Sequence, residues 1–233
     1  MARIDKSKLT KLEIIQVATK KFIEKGFSNT SIKNICDELD MSTGNLTFYF
    51  PSKEHILAEL VDMLCSFQWE MMENETTEGK SSLMAICLEL VAMAAMCEED
   101  ETAKDLYISA YTSPLSLEMI RLNDTKRAKD VFKDYCLDWT DEQFVEAETL
   151  VSGIEYATLM TTSDSAPLNI RIVGALHTIL TIYNVPEEMI KRELDKVLTM
   201  NYRKIGKRVL KEFKEYVETT TEQAFYDLLK AKV

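Results

Sequence analysis

Residues 26–57 read GFSNTSIKNICDELDMSTGNLTFYFPSKEHIL, and the fold turns on this stretch. Ahead of it, from Lys8 to Lys25, Leu12, Ile15, Ala18 and Phe22 recur at helical spacing, so Gly26 reads as a helix stop and Phe27 as a core cap. Thr30 or Ser31 then supplies an N-cap for a short helix carrying Ile32, Ile35 and Leu39. Met41-Ser42-Thr43-Gly44 is a tight turn into a second short helix. Two short helices joined by a few residues make a helix-turn-helix outline. Pro51 breaks the chain, Ser52 caps a new helix, and Ile56, Leu57, Leu60, Leu64, Phe67 and Met71 form its apolar stripe to about residue 73.

Outward from there the helical period persists. Strict apolar/polar alternation is absent, so an all-α protein is expected. Asn74 to Ser82 is a polar loop; its Gly79-Lys80-Ser81 has Asn74 where a phosphate-binding loop needs a glycine, and no strand precedes it. A Met- and Ala-rich helix spans Leu83 to Cys97. Further breaks fall at Glu98 to Glu101, Ser113-Pro114, Trp139-Thr140, Thr162 to Pro167, and Asn184-Val185-Pro186. Thr140 and Gln143 have the spacing of a capping box. The segment from Pro186 onward is one helix, or two meeting near Asn201, with Ile205, Val209, Phe213, Tyr216 and Val217 on one stripe.

The 233 residues are 46% hydrophobic with six Gly and four Pro, which excludes collagen-like, low-complexity and wholly disordered chains. The apolar run Leu90 to Cys97 is far short of the roughly 18 residues of a membrane span, and Met1-Ala-Arg-Ile-Asp-Lys has no signal-peptide apolar region. A cytoplasmic protein with no membrane partner is expected. Cys36, Cys65, Cys87, Cys97 and Cys136 form no CxxC pair, and His55 and His177 are too far apart for a helical metal pair. No catalytic residue, metal site or cofactor is therefore assigned, and an enzyme is the weakest reading. The net charge of −11 hides a reversal. Residues 1–33 hold eight basic and three acidic side chains, residues 61–190 eight and 24, residues 191–233 eleven and seven. A basic end on an acidic chain fits nucleic-acid contact confined to that end; a solvated basic face is the bland reading.

The pattern Phe22, Gly26, Phe27, Thr30, Ser31, Ile35, Ser42, Gly44, Leu46, Tyr49, Phe50, Ser52, Lys53, Glu54 and Leu57 resembles the DNA-binding module of the TetR family of transcriptional repressors in identity and spacing. The resemblance covers about the first 60 residues. Cys36 stands where the family usually has Ala, and Thr47 where Tyr is common. The resemblance implies an N-terminal three-helix module over residues 1–51, joined through helix 52–73 to a larger helical ligand-binding and dimerisation domain, 52–233.

A helix-turn-helix lays its second helix in the major groove, so Thr43, Asn45, Thr47 and Phe48 are the base-reading candidates. Thr30, Ser31, Lys33, Ser42, Gly44, Tyr49 and Lys53 complete the DNA-binding set, with Ser31, Lys33, Tyr49 and Lys53 assigned to phosphates. Leu46 and Phe50 face the module's core. The arm Arg3 to Lys11 follows the backbone, enters a minor groove or frays in solvent. Met84, Met93, Met96, Tyr107, Tyr111, Met119, Tyr156 and Met160, with Trp139, suit an adaptable effector cavity; core packing explains the same residues. Acidic surroundings favour a neutral or cationic ligand. Thr140 to Thr161 and Ala166 to Tyr183 correspond in position to the family's dimer helices, where Gly153, Ala157, Gly174, Ala175 and His177 are the interface candidates. The basic C-terminal helix is expected to neutralise the acidic body.

The resulting expectation is a dimeric, effector-responsive repressor of palindromic operator DNA. The alternative is an all-helical small-molecule-binding or scaffold protein whose helix-turn-helix no longer reads DNA.

Overall fold

The computed structural model describes residues 6–76 and 82–220, so part of the basic arm and all of Gly79-Lys80-Ser81 fall outside the described residues. The described residues form helices and connecting segments, with no strand. Helices α1 (Lys6–Lys25), α2 (Ile32–Leu39) and α3 (Thr43–Tyr49) come first, followed by the long α4 (Lys53–Thr76). The remainder comprises α5 (Leu83–Glu99), α6 (Glu101–Thr112), α7 (Pro114–Phe132), α8 (Asp141–Leu159), α9 (Leu168–Ile182), α10 (Glu187–Thr199) and α11 (Tyr202–Thr219).

Each boundary has a local cause. Gly26 ends α1 at φ +88°, and a Cβ there would sit 2.6 Å from Asp105 Oδ2, so any other residue meets both backbone strain and a carboxylate. Ser31, rather than Thr30, caps α2: its Oγ accepts from Asn34 N at 3.2 Å while Asn34 Oδ1 accepts from Ser31 N at 2.9 Å. Ser42 caps α3. Pro114 opens α7, and Gln143 Oε1 accepts from Thr140 N at 2.8 Å at the start of α8. The C-terminal segment is two helices, because Asn201 Oδ1 accepts from Lys204 N and starts α11 afresh.

The Met- and Ala-rich α5 is buried all round and packs against α4, α6, α8, α9, α10 and α11. A helix apolar on every side belongs at the centre of a bundle. α11 approaches it so closely that a Cβ on Gly206 would lie 2.6 Å from Ala92 O. Ile205, Val209, Phe213 and Val217 are buried in that contact, while Tyr216 is half-buried.

The basic side of α11 meets acids of its own chain, as expected. Arg203 reaches Glu98 and Glu99, Lys207 reaches Glu99 at 2.8 Å, Arg208 reaches Glu75 and Glu212, and Lys214 reaches Glu24 at 2.5 Å. Glu98 also pairs with Arg171 at 2.6 Å, so the acidic run between α5 and α6 is a bridging point rather than a solvated turn. No described helix is long and apolar enough to cross a membrane.

Candidate nucleic-acid interface and interior cavity

α3 has seven residues, too few for a stable helix on its own, and tertiary contact holds it. Leu46 and Phe50 are 0% and 2% exposed in a core with Phe22, Phe27, Ile35 and Leu57. The same helix leaves Thr43, Gly44, Asn45, Thr47 and Phe48 exposed. Phe48 is 79% exposed, packed only edge-on against Tyr49 at 5.3 Å between ring centroids, an expensive arrangement for a lone phenyl group in water. A Cβ on Gly44 would touch nothing within 4 Å. Lys33 is exposed on α2 and forms no ion pair among the described residues.

Two of the sequence candidates do other work. Thr30 is 2% exposed, with Oγ1 donating to Gly26 O at 2.8 Å, so it closes the turn after α1 instead of meeting DNA. Lys53 donates to Phe27 O at 2.9 Å and Thr30 O at 3.1 Å and lies 4.1 Å from the centroid of the Phe27 ring. Its ammonium fastens α4 to the α1–α2 turn. Ser31 and Ser42 are exposed helix caps, while Tyr49 is half-buried.

A second tie to the module comes from α6, and nothing local in the sequence announces it. Asp105 Oδ2 accepts from Ser28 N at 2.8 Å and Oδ1 from Ser28 Oγ at 2.5 Å. α11 adds a third: Gln16 Nε2 of α1 donates to Val217 O at 3.0 Å and Glu218 O at 3.3 Å.

The interior holds a cavity system around Arg127. A cleft of about 350 Å³ between α4 and α7 is lined by Cys65, Trp69, Asp124 and Arg127. Cavities of about 40 and 20 Å³ share Arg127 and Asp124 with it and extend to Glu89, Glu148 and Glu155. Arg127 Nη1 lies 2.6 Å from Glu89 Oε2, Nη2 contacts Asp124, and the guanidinium stacks 4.4 Å from the Trp69 ring. Gln68 Nε2 donates to Glu89 Oε1 at 3.1 Å, and Tyr107 donates to Gln68 Oε1 at 3.2 Å. Tyr111 donates to Glu155 Oε2 at 2.9 Å, and Tyr183, stacked on Phe132 at 3.9 Å, donates to Glu148 Oε1. Desolvation pushes the Glu89 carboxyl up to about 7 and Glu148 to about 8, with Arg127 opposing; Asp124 and Glu155 rise too, for the same reason.

Of the eight sequence candidates for the cavity, Met93, Tyr107 and Tyr111 line it. Met119 lies in a different cleft, of about 340 Å³, with Tyr49, Phe50 and His55. Met84 and Met96 are packed core, Tyr156 is half-buried outside these walls, and Met160 is 44% exposed. Trp139 packs edge-on against Phe144 at 5.2 Å. The acids were missed, although Glu89 interrupts an otherwise apolar run from Leu83 to Cys97.

On α8 and α9, Gly153, Ala157 and Gly174 are exposed, and a Cβ on either glycine would meet nothing within 4 Å. His177 is part-exposed and 3.1 Å from Glu187 Oε2, whereas Ala175 is buried. Leu150, Ile170 and Val173 are 53%, 59% and 38% exposed on these helices.

An exposed short helix joined by a short turn to the helix before it, with the rest of the chain in a larger helical body, has the outline of a helix-turn-helix DNA-binding protein. Residues 14–60 match the family model described as bacterial regulatory proteins, tetR family. The N-terminal module, and with it the helix-turn-helix, is thus similar to that of the TetR family over residues 14–60. An uncharacterized HTH-type transcriptional regulator of Bacillus subtilis, YuxN, is 33% identical over 80 residues, 34% of this chain and 28% of the relative. The chain thus matches under a third of that relative's length. Among solved structures, a gamma-butyrolactone receptor (ArpA-like protein) aligns over 88% of this chain and 99% of its own at 17% identity and a TM-score of 0.43. The TetR family protein CprB from S. coelicolor A3(2) covers 89% and 99% at 18% identity and a TM-score of 0.42.

Proposed function

We propose that this transcriptional regulator is a dimeric, effector-responsive repressor, with DNA-binding residues in 1–51 and effector-binding and dimerisation residues in 52–233. The observation that carries the reading is the exposed α3 face of Thr43, Gly44, Asn45, Thr47 and Phe48, whose composition the folded chain does not need for itself. Asn can read adenine bidentately, and Thr and Phe can contact a thymine methyl. Lys33, Ser31, Ser42 and Tyr49 flank that face and suit phosphate contacts that set register.

Dimerisation is supported by a second exposed face. Leu150, Gly153 and Ala157 on α8, and Ile170, Val173, Gly174 and His177 on α9, recur at three- and four-residue intervals. Each helical glycine costs about 1 kcal/mol relative to alanine, and close approach of a second copy explains that cost where no intrachain contact does.

For effector response, α6 links the two regions: Tyr107 and Tyr111 line the interior cavity, and Asp105 holds the α1–α2 turn. A ligand that moves α6 moves the reading heads, to the extent that it prefers one arrangement over the other.

The test is selection of bound duplexes from a random DNA pool at two salt concentrations with the purified chain. Enrichment of a palindrome with half-sites about one helical turn apart is expected. A folded dimer that enriches nothing, with or without cell extract, overturns the reading in favour of a scaffold with a silent helix-turn-helix.

A further inference from the structure

The innermost cavity gathers four carboxyls around a single guanidinium in its lining. We propose that it takes an organic cation, a protonated primary amine on a small apolar body, whose ammonium group pairs with Glu148 and Glu155; this rests on reading the cavity as the effector site.

The sign follows from which groups are already used. The guanidinium of Arg127 is held on one side by Glu89 and on the other by Asp124, with Trp69 across its face. An incoming anion would have to compete with both carboxylates for the guanidinium. Among the described residues Glu148 and Glu155 form no ion pair; each receives a single hydrogen bond, from the phenols of Tyr183 and Tyr111. Glu148 Oε2 and Glu155 Oε1 receive none among the described residues. Glu148 is nevertheless only 4% exposed, and both carboxyls line the same inner cavity. An unbonded carboxyl oxygen on the wall of a confined cavity has hydrogen-bonding capacity that a ligand donor can fill. A primary ammonium has three donors and suits two such oxygens.

Size and lining narrow the class. The inner cavities of about 40 and 20 Å³ take a compact head, not a quaternary ammonium, whereas the outer cleft of about 350 Å³ is in the range of ligand pockets. Trp69, Tyr107 and Met93 supply apolar and aromatic surface for the body.

The other titratable groups lining the inner cavities are Cys65 of α4, Glu89 of α5, the two tyrosines of α6, Asp124 and Arg127 of α7, and Tyr183 after α9, and the outer cleft adds Glu73 of α4 and Lys126 and Asp130 of α7. Of the inner groups, the carboxyls on α5, α7 and α8 are the ones pushed upward into or toward the neutral range, so the empty cavity holds protons near pH 7. An ammonium favours the ionised carboxyls, so binding releases protons and tightens as pH rises from 6 to 8.

Phenethylammonium, its neutral counterpart propylbenzene and the anion 3-phenylpropanoate are titrated calorimetrically into the full chain, in two buffers of different ionisation enthalpy. The expected result is that the cation binds at least about tenfold more tightly than either other probe, with proton release, and that Glu155→Gln and Glu148→Gln each weaken it about tenfold or more. Thermal unfolding of both variants checks that they fold. Equal or tighter binding of propylbenzene or 3-phenylpropanoate overturns the charge assignment and leaves the cavity as a ligand site. Cation binding unmoved in both variants places the probe elsewhere and overturns it as well. If none of the three binds, the effector-cavity reading falls with it, while duplex selection still judges the DNA-binding reading separately.

Discussion

Asn45 sits at the start of α3, where its backbone N–H bonds Ser42 Oγ at 3.1 Å and the residue is exposed. Asn45→Ala should leave thermal unfolding unchanged and relax preference at one base pair by about 1–3 kcal/mol, read from the enriched duplexes. Lys33→Ala should weaken binding evenly across sequences and reduce the salt slope by about 1. Lys53→Ala should act through the fold: losing two carbonyl hydrogen bonds and a ring contact costs about 1–3 kcal/mol of stability, measured by denaturant unfolding. The outward positions of α3 were legible from the motif alone. The inward turn of Lys53 was not, because the carbonyls it reaches lie more than 20 residues away in sequence.

Among the elements, α6 has a divided role. Its boundaries follow from Asp100, which caps it, and from Pro114 just after it, but its partners do not. Asp105 faces the α1–α2 turn while Tyr107 and Tyr111 face the cavity. Asp105→Ala should remove the acceptor for the Ser28 amide and speed its hydrogen exchange about tenfold, with a stability loss of about 1 kcal/mol. Unchanged exchange at Ser28 would remove α6 from the proposed coupling route. α11 behaves similarly: its apolar stripe was readable, whereas its ties to Gln16 and Glu24 come from its position across α1.

For the whole molecule, the proposed dimer makes a direct demand on the α8–α9 face. Ile170→Glu should shift sedimentation equilibrium toward monomer without unfolding the chain, since Ile170 is already 59% exposed. The buried carboxyls make a second demand, on pH. Glu89 and Glu148 titrate near 4.5 when unfolded and at about 7 and about 8 when folded, so the folded state binds more protons in between. Stability should fall as pH rises from about 5 to 8, by up to about 1.4 kcal/mol per pH unit per group, and flatten above that. Glu148→Gln should reduce this slope. Glu24, Glu38 and Glu99, held low by lysine and arginine partners, act oppositely, and their contribution is lost only on acidification below the usual carboxylate range.

The helix class, most helix boundaries and the reading face of α3 were determined by the sequence itself, because caps, glycine stops and apolar spacing act within a few residues. Only the tertiary structure decided that Thr30 and Lys53 serve the fold, that Asp105 clamps a turn 77 residues away, and that four carboxyls from three helices line one cavity with a single guanidinium. Such groups carry no local signal. Burial and charge pairing depend on which helices lie side by side, and that is set by the sum of all the packing surfaces at once.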